Sequence, residues 1–547
     1  MKVQRAIVIS IFSGLFFSNT VLAAQALQLP SDLHDEKHCI PTENNFIASE
    51  HTMNQSINPV AKFYLKKLVI KNEFITSKDT IKVKKICHKY ENKDVNINDL
   101  YEAVFEITSY FRKNGFPAAT AYLPPQQSTD GTINLCVELG KYGKVTILNN
   151  SYVNDGVINS LTSRLHIGDI IKSRKLETVL NNIIDLGGVN VGVTLTPHEQ
   201  IGESEIVIRI KNGKSESYNV YSENHGSKSS GRYRYGIVGV FNELQGNGDR
   251  LTVNANVSNQ KQHNYGIQYE QNIGIYGSKL GISLNKTDYE LGSKYASMGA
   301  VGNASTISIY GVTPFYKTSS ANMEINYGWD YRDLKDEMRE FDYKIEKHSN
   351  VFHLGISGSK LFSKTNINYD STLYVGNLIA DKAHIGEIPL EIANTGTYKK
   401  GLINVNLLHG FNKQFDLFLR LQAQKSANNL DSSEQFYLGG ANGVRAYPQG
   451  EGSGDEGYQA TAELRYHTMV PGLSLSTYFD IGHVKYSKDS KIAGGTTLKG
   501  YGIATTWNNS DGYWLRIDYA RRAGLANDVT EDAMSKQRLW FTFAKSW

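Results

Sequence analysis

The residues with the clearest chemical potential in this chain are ionisable side chains near its C-terminus. Glu463 and Asp480 each lie in a stretch where polar residues alternate with apolar ones, so each carboxylate belongs to the polar face of a predicted β-strand. Arg445 stands in the segment before both stretches, where it is either a solvated loop arginine or the cation of a buried ion pair. A guanidinium and a carboxylate that are held together away from water form a charge-assisted hydrogen bond, which is stronger than a surface ion pair. If Arg445 is the buried cation, the chemistry that these residues offer is an ion pair.

Motifs that carry bond-making chemistry are absent from the sequence. It contains no Gly-x-Ser-x-Gly, no His-Glu-x-x-His and no complete Gly-x-x-x-x-Gly-Lys-Ser/Thr, and its 14 histidines do not cluster at metal-ligating spacing. The glycine-rich run Gly450 to Gly457 resembles a phosphate-binding loop only in glycine content, because no strand-to-helix context follows it. We therefore predict no enzyme activity, no cofactor and no metal site.

The composition argues against several broad classes of protein. Of the 547 residues 40% are apolar and 20% are charged, and 58 Lys and Arg nearly balance 54 Asp and Glu, so disorder is not predicted. Beyond the N-terminal apolar run, no window approaches the roughly 18–20 uncharged apolar residues that a membrane-spanning helix needs. A net charge of +4 is too small to indicate nucleic-acid binding.

The N-terminus predicts export from the cytoplasm. Lys2 and Arg5 precede the apolar run Ala6 to Phe17, and Val21-Leu22-Ala23 ends on the small residue that a signal peptidase needs. Residues 1–23 are therefore interpreted as a signal peptide, and a retained membrane anchor is the alternative.

Export would place the three cysteines, Cys39, Cys87 and Cys136, in an oxidising compartment where they could pair. The absence of a Cys-x-x-Cys spacing argues against a metal site. We predict one structural disulfide, Cys39 with Cys87, which leaves one cysteine over.

Residues 62–213 predict two copies of one small α+β module. The hydrophobic spacing of residues 62–140 gives the order β-α-α-β-β, and residues 141–213 repeat that order. The bounded elements of the first copy are a strand at Phe63 to Ile70, a helix at Asn98 to Lys113, and strands at Ala118 to Leu123 and Thr132 to Leu139. Those of the second copy are a strand at Gly143 to Asn149, helices at Asn154 to Leu165 and Ser173 to Ile184, and strands at Gly188 to Pro197 and Ser204 to Lys211.

From residue 214 onward the helical periodicity disappears, and segments of about ten residues alternate apolar with polar, which is typical of tilted membrane β-strands. The stretch 415–424 is the clearest example. A soluble β-sandwich or propeller alternates in the same way, so alternation alone leaves these folds open. The last strand ends the chain on an aromatic, with apolar residues at alternate positions: Leu539, Phe541, Phe543 and Trp547.

The connections favour the membrane barrel, because predicted short links alternate with long, charged ones as the periplasmic turns and outer loops of outer-membrane barrels do. The predicted fold is mainly β: two periplasmic α+β modules precede a sixteen-stranded antiparallel transmembrane β-barrel over residues 214–547. The short links are Asn242 to Asp249, Gly274 to Gly277, Thr318 to Ala321, Ser363 to Thr365, Phe411 to Gln414, Val470 to Gly472 and Asn508 to Gly512. The long ones are Asp333 to Asn350, Asp381 to Lys399, Lys485 to Leu498 and Arg521 to Gln537.

This order of signal, two modules and barrel resembles the two-partner secretion (TpsB-type) transporters, the outer-membrane exporters of filamentous haemagglutinins, haemolysins and contact-dependent toxins. Its modules resemble polypeptide-transport-associated (POTRA) domains. Four stretches carry the resemblance: Gly115-Phe116-Pro117 with Leu123-Pro124-Pro125-Gln126, Asn224-His225-Gly226 with Gly231-Arg232-Tyr233, Gly248-Asp249-Arg250-Leu251, and Gly439-Gly440 to Tyr447.

The resemblance implies a role for Arg445. The stretch Val444-Arg445-Ala446-Tyr447 is similar to the Val-Arg-Gly-Tyr/Phe tip of the family's sixth extracellular loop, which folds back into the barrel lumen. Ala446 replaces the usual glycine, which would leave the tip backbone less free. The implied partner is Asp480 in Tyr478-Phe479-Asp480-Ile481-Gly482, and Glu463 is a second candidate.

The resemblance also implies function and partners. A transporter of this kind secretes a large TpsA-type exoprotein in unfolded form and without nucleotide hydrolysis, after the exoprotein adds to an exposed strand edge of the modules. Residues 24–61 stand where relatives carry a plug helix and linker. The aromatic last strand, with Phe541, Phe543 and Trp547, would serve as the signal read by the barrel-assembly machinery, and the barrel would contact outer-membrane lipid. The alternatives are an insertase of the barrel-assembly kind, a passive porin and an outer-membrane hydrolase.

Overall fold

The computed structural model of the protein describes residues 62–71, 76–128, 130–200, 202–489, 494–524 and 535–547. The predicted signal peptide, the segment 24–61 with its possible plug helix, and Cys39 lie outside these ranges. Among the helices described, none is both long enough and apolar enough to cross a membrane.

The first module consists of two helices, a small three-stranded sheet and a two-stranded sheet. Helix α2 starts at a reciprocal cap, in which the side chains of Asn96 and Asp99 each accept a hydrogen bond from the other's backbone N–H. Its apolar face packs Ile107 and Phe111 into a core with Leu135. The elements are β1 (Phe63–Leu65), β2 (Lys67–Lys71), α1 (Ser77–Cys87), β3 (Lys93–Val95), α2 (Ile97–Lys113), β4 (Thr120–Tyr122) and β5 (Thr132–Glu138).

The first module departs from the predicted order β-α-α-β-β in two respects. A short strand, β3, lies between its two helices. The single strand predicted from Phe63 to Ile70 is wrong, since β1 and β2 are separate strands with Lys66 between them. The backbone N–H of Lys66 donates to the carbonyl oxygen of Gly131 at 2.8 Å. From there β2 pairs in parallel with β5, whereas β1 pairs with β3. Hydrophobic alternation runs through both strands and so does not mark the change of partner.

The second module repeats the plan of a sheet covered by two helices. In its sheet, β8 is the central strand, parallel to β6 and antiparallel to β7. Tyr142, Leu176 and Ile208 meet in its core. The elements are β6 (Lys141–Asn150), α3 (Asp155–Thr162), α4 (Ser173–Ile184), β7 (Val189–Pro197) and β8 (Glu203–Asn212).

The second module is docked against one end of the barrel. The backbone carbonyl of Asp185, just after α4, accepts a hydrogen bond from Lys279 Nζ at 3.0 Å, and its carboxylate pairs with Lys317. Asn182 donates to the carbonyl of Tyr276 at 3.0 Å. These contacts involve the short turns of the barrel, so the end with the short turns faces the modules.

The barrel is a closed antiparallel sheet of sixteen strands, in which the last strand, β27, pairs with the first, β9. Its strands are β9 (Glu216–Glu223), β10 (Arg234–Asn242), β11 (Arg250–Ser258), β12 (His263–Ile273), β13 (Ser278–Glu290), β14 (Ala300–Lys317), β15 (Ala321–Met338), β16 (Tyr343–Phe362), β17 (Thr365–Ile385), β19 (Gly396–Gly410), β20 (Phe415–Ser426), β23 (Glu456–His467), β24 (Leu473–Lys485), β25 (Gly495–Asn508), β26 (Tyr513–Arg522) and β27 (Gln537–Ser546). Short strands in its loops are β18 (Ile388–Pro389), β21 (Phe436–Tyr437) and β22 (Ser453–Gly454).

All the predicted short links fall between paired neighbouring strands. Two of the predicted long loops are partly wrong, because barrel strands continue into them. The pairing of β15 with β16 begins at Met338 and Tyr343. Only residues 339–342 therefore lie between the two strands, in place of the loop predicted at 333–350. Likewise β17 continues to Ile385 and β19 begins at Gly396 within the region predicted as the loop 381–399.

The charged residues that suggested loops there lie on paired strands instead. Glu346 on β16 contacts Lys344 at 2.6 Å and Lys335 on β15 at 3.8 Å. Opposite charges across a strand pair stabilise the pairing. These charges lie at the end of the barrel away from the modules, where hydration is available and charge does not exclude a strand.

Candidate functional site

The loop between β20 and β23, residues 427–455, folds into the barrel, and its tip is buried there. Val444, Ala446 and Tyr447 are each at most 1% exposed. The tip is held in a tight turn by hydrogen bonds from the N–H of Val444 to the carbonyl of Leu438 at 2.8 Å and from that of Tyr447 to Val444 at 3.1 Å. The structure therefore brings the predicted tip inside the barrel.

Arg445 makes a bidentate ion pair with Asp480. Its Nε donates to Asp480 Oδ2 at 2.9 Å and its Nη2 to Oδ1 at 2.8 Å, and its backbone N–H also donates to Oδ2 at 3.1 Å. The guanidinium carbon lies 3.2 Å from the centroid of the Tyr478 ring, which covers its remaining face. Both charged side chains are buried, so this pairing is much less screened than a surface pair.

Two further carboxylates reach the same guanidinium. Nη1 of Arg445 donates to Glu463 Oε2 at 3.1 Å and to Asp518 Oδ1 at 3.0 Å. Glu463 was predicted as a second candidate, whereas Asp518 was not assigned to the site. Asp518 lies on the polar face of β26, so the alternation of that strand contained the signal, but nothing in the sequence linked it to the loop.

The acidic wall is itself partly neutralised by barrel arginines. Arg516 contacts Glu463 at 3.0 Å and Asp518 at 2.8 Å, and Arg465 contacts Glu463 at 3.1 Å. Asp480 has no such barrel arginine among the ion pairs of the described residues, and Thr461 donates to it at 2.9 Å. Asp480 therefore depends most on the loop for its counter-charge.

Glycines on the wall make room for the loop. A Cβ on Gly482 would lie 2.8 Å from Leu438 Cδ2, and one on Gly500 would lie 2.6 Å from the Cβ of Ala446. Ala446 is not among the residues with a positive φ, so its backbone conformation does not need a glycine. The methyl group at the position where the family's tip has glycine is thus matched by the missing side chain of Gly500.

The backbone carbonyls of the tip bind the last two strands. Trp540 Nε1 donates to the carbonyl of Arg445 at 2.7 Å, and Arg522 Nε donates to that of Ala446 at 3.3 Å. Neither side chain was among the residues predicted for the site, because the alternation of β27 indicates an outward aromatic face and not a contact with the loop.

The predicted aromatic residues of β27 have different surroundings. Phe543 and Trp547 are exposed on the outer face, and Phe541 tilts against Tyr233 with ring centroids 6.2 Å apart. Lys545 Nζ lies 4.2 Å from the Tyr513 ring centroid, at the end of the barrel where a cation can reach lipid headgroups.

The predicted disulfide cannot be located, because Cys39 lies outside the described residues. Among the described residues neither Cys87, which is buried in the core of the first module, nor Cys136 forms a disulfide. Burial raises the pKa of the Cys87 thiol to about 11. Within the described ranges no three His, Cys, Asp or Glu side chains are arranged to hold a metal ion.

Comparisons with known proteins agree with this architecture. The family described as "Haemolysin secretion/activation protein ShlB/FhaC/HecB" matches residues 202–506, and "POTRA domain, ShlB-type" matches residues 63–140. The chain is 27% identical over 477 residues to the heme/hemopexin transporter protein HuxB of Haemophilus influenzae strain 86-028NP, covering 84% of this chain and 83% of the relative. It is 22% identical over 496 residues to the hemolysin transporter protein HpmB of Proteus mirabilis, covering 86% and 81%.

Among solved structures, CdiB from Escherichia coli superposes with a TM-score of 0.69 at 15% sequence identity, covering 98% of this chain and 99% of that one. That likeness concerns the fold, which includes both the modules and the barrel.

Proposed function

The chain belongs to the ShlB/FhaC/HecB family of haemolysin secretion/activation proteins, and on this premise we propose that it exports one large TpsA-type exoprotein, in unfolded form and without nucleotide hydrolysis. It is an outer-membrane β-barrel transporter whose N-terminal modules lie in the periplasm. The observation that carries the finer proposal is the attachment of Arg445 to Asp480, Glu463 and Asp518 inside the barrel.

In this proposal the loop tip closes the bore at rest. A buried arginine that leaves its carboxylates gives up several charge-assisted hydrogen bonds, and breaking a buried pair costs about 3–5 kcal/mol. Free energy of this size can come from docking of the exoprotein on the modules and from its folding outside, so no nucleotide is needed. The wall arginines Arg516 and Arg465 keep Glu463 and Asp518 partly neutralised when the tip moves, which lowers the cost of opening.

Client docking is assigned to the modules. Strand β7 is an outer strand of the second-module sheet, and an outer strand can accept an extended segment through main-chain hydrogen bonds with little demand on its side chains. Tyr101 and Phe105, one helical turn apart on α2 of the first module, are 53% and 67% exposed and add an apolar surface for such a segment. The aromatic last strand is proposed to be read by the barrel-assembly machinery, and the outer face of the barrel to contact lipid.

The test begins by identifying a large repetitive exoprotein in the neighbouring reading frame. Secretion of that exoprotein is then measured together with the surface level of the transporter. Arg445→Ala and Asp480→Asn are expected to abolish secretion while the barrel still migrates as a heat-modifiable outer-membrane protein. Arg339→Ala is the matched control and should secrete normally, because Arg339 is exposed on the hairpin of β15 and β16, which we call the outer hairpin. Normal secretion by both loop-site variants at normal surface levels would rule out a mechanistic role for the tip.

The alternatives predict other outcomes. For an insertase, depletion of the protein would lower many outer-membrane proteins rather than one exoprotein. For a passive porin or a hydrolase, deletion of residues 62–211 would leave solute flux or hydrolysis intact, whereas the export function requires the modules.

A further inference from the structure

The loop is attached to the barrel a second time, close to its start after β20. The segment 430–434, which follows β20, is buried against β15, β16 and β19. Asp431 contacts Lys347 Nζ at 3.0 Å. Glu434 contacts Arg332 Nη1 and Lys400 Nζ, each at 2.8 Å. We call this set of five charged residues the outer anchor.

The outer anchor reverses the charges of the tip. At the tip, a loop cation binds an acidic wall formed by β23, β24 and β26, whereas at the outer anchor two loop carboxylates bind a basic wall. The tip and the segment 430–434 could not exchange places without bringing like charges together, which is strongly unfavourable in a buried setting. The charge pattern therefore determines which wall the tip contacts and which wall the segment 430–434 contacts.

The two attachments lie at different depths. Lys347 and Lys400 lie 15 and 10 residues from the ends of β16 and β19 that face the modules. Asp480 and Glu463 lie only 7 and 4 residues from the corresponding ends of β24 and β23. The loop thus crosses the bore diagonally, from the outer end of one wall to the middle of another. A shift at the outer anchor would change the position at which Arg445 meets its carboxylates.

The length of chain between each attachment and β20 limits how far that attachment can move. Only a few residues connect Leu430 to the end of β20 at Ser426, so the outer anchor cannot travel far, whereas the tip stands much farther along the loop. Leu430 also packs in an apolar cluster with Val351 and Tyr398. The carbonyl of Glu434 accepts hydrogen bonds from Lys400 at 2.9 Å and from Gln424 on β20 at 3.0 Å.

The charges on the barrel wall also favour an outer anchor that stays in place. If the segment left, Arg332 would keep Asp330 at 2.8 Å, but Lys400 has Glu434 as its only carboxylate contact among the ion pairs of the described residues. Leaving a buried ammonium unpaired is strongly unfavourable.

We propose that Glu434 and Asp431 are positioning residues: they form a fixed pivot on the Arg332–Lys347–Lys400 wall about which the Arg445 tip swings out of and back onto its carboxylates. This inference rests on the proposed role of the tip in closing the bore. Its readout is the fraction of time the purified, detergent-solubilised full-length barrel spends open in a planar lipid bilayer, which is separate from secretion.

The pivot predicts a specific interaction between the two ends of the loop. Glu434→Gln keeps the shape of the side chain and removes its charge. With Arg445 present, it is expected to raise the open fraction about tenfold, the factor that corresponds to losing one charged hydrogen bond of the closed state. In an Arg445→Ala background, where the tip is already released, Glu434→Gln is expected to add no further opening.

Lys400→Gln should reproduce the effect of Glu434→Gln, and the charge exchange of Glu434→Lys with Lys400→Glu should restore closure at least in part. Glu346→Gln, on the outer hairpin, is the matched control and should not alter gating. All variants should keep heat-modifiable mobility, which shows that the barrel is folded.

Two outcomes would overturn the pivot: no change in open fraction for Glu434→Gln with Arg445 present, or an equal increase with and without Arg445. Failure of the export proposal gives a different result, namely normal secretion by Arg445→Ala. The comparison of open fractions in planar bilayers does not depend on that result.

Discussion

The indole N–H of Trp540 donates a hydrogen bond to the backbone carbonyl of Arg445 at 2.7 Å. Trp540 lies on β27, the strand that closes the barrel against β9, so the loop tip is bound to the closing strand by its backbone as well as to the acidic wall by its side chain. On its other side the Trp540 ring meets that of His225 edge-on, with centroids 5.8 Å apart. The tip, the last strand and the chain just after the first strand thus form one connected set of contacts.

Trp540→Phe tests this connection. Phenylalanine fills most of the same space but cannot donate, so the buried carbonyl of Arg445 loses its partner, at a cost of about 1–3 kcal/mol to the closed state. We expect a higher open fraction in planar bilayers with the Arg445–Asp480 pair still in place.

Trp514→Phe is the control, because Trp514 is a buried tryptophan on β26 for which no hydrogen bond or ring contact to the tip is found among the described residues. If both tryptophan variants gate alike, the hydrogen bond to Arg445 has no part in closure.

Gly500 and Ala446 form a pair of positions that should compensate each other. A methyl group at 500 would stand 2.6 Å from the Cβ of Ala446, so Gly500→Ala must displace the tip, with an overpacking cost of about 1–3 kcal/mol. Secretion and closure should both be impaired. Adding Ala446→Gly removes the opposing methyl, and the next contacts of the new Cβ, at 3.4 and 3.5 Å, are ordinary.

We therefore expect the double variant Gly500→Ala, Ala446→Gly to recover most of the wild-type closure and secretion. A double variant as impaired as Gly500→Ala alone would mean that the substitution acts on the strand rather than on the tip.

Asp518→Asn should weaken the attachment of the tip without abolishing it. The change removes one charge from the contacts with Arg445 at 3.0 Å and Arg516 at 2.8 Å, while the bidentate pair with Asp480 remains. We expect an open fraction between those of the wild type and Asp480→Asn. An effect larger than that of Asp480→Asn would show that Asp518, and not Asp480, is the principal partner of Arg445.

The inward faces of the strands could be predicted because a strand in a barrel has a strict period of two. Tyr478 and Asp480 follow from the alternation of β24, and Glu463 from that of β23. Their meeting with Arg445 could not be derived in this way, since contacts across a bore depend on the curvature of the whole sheet and leave no periodic trace. The resemblance to known transporters supplied that contact instead.

The basic residues of the outer anchor were not predicted from the sequence either. Arg332, Lys347 and Lys400 lie in or beside charged regions, and two such regions were interpreted as outer loops. Charge was taken to exclude a strand, whereas strands that extend beyond the lipid can carry it. The predicted periodicity of the modules was sound for their helices, and it failed at Lys66, where the strand changes partner without a change in alternation.

Cys87 should be unreactive in the folded protein. Its thiol is buried and its pKa is raised to about 11, so at pH 8 roughly one molecule in a thousand carries the reactive thiolate. We expect alkylation of Cys87 only after unfolding, with the partly exposed Cys136 modified faster in the native state. Peptide mass spectrometry after native and denatured alkylation measures both. If the predicted Cys39–Cys87 disulfide forms, Cys87 will resist alkylation even in denaturant until a reductant is added.

The position of the second module should depend on Asp185. This carboxylate pairs with Lys317 beside a short turn of the barrel, and Lys317 is mostly buried there, so Asp185→Ala leaves a poorly solvated ammonium without its partner. The module should then detach more often and expose the connection between β8 and β9, residues 213–215, to protease. We expect limited proteolysis of the full-length protein in detergent to cut there several-fold faster, with the barrel fragment intact.

Asp169→Ala removes an exposed ion pair with Lys175 in the same module and is the matched control, because it touches no barrel turn. Equal cleavage rates in the two variants would mean that Asp185 does not hold the module, and that the other contacts of α4 with the barrel suffice.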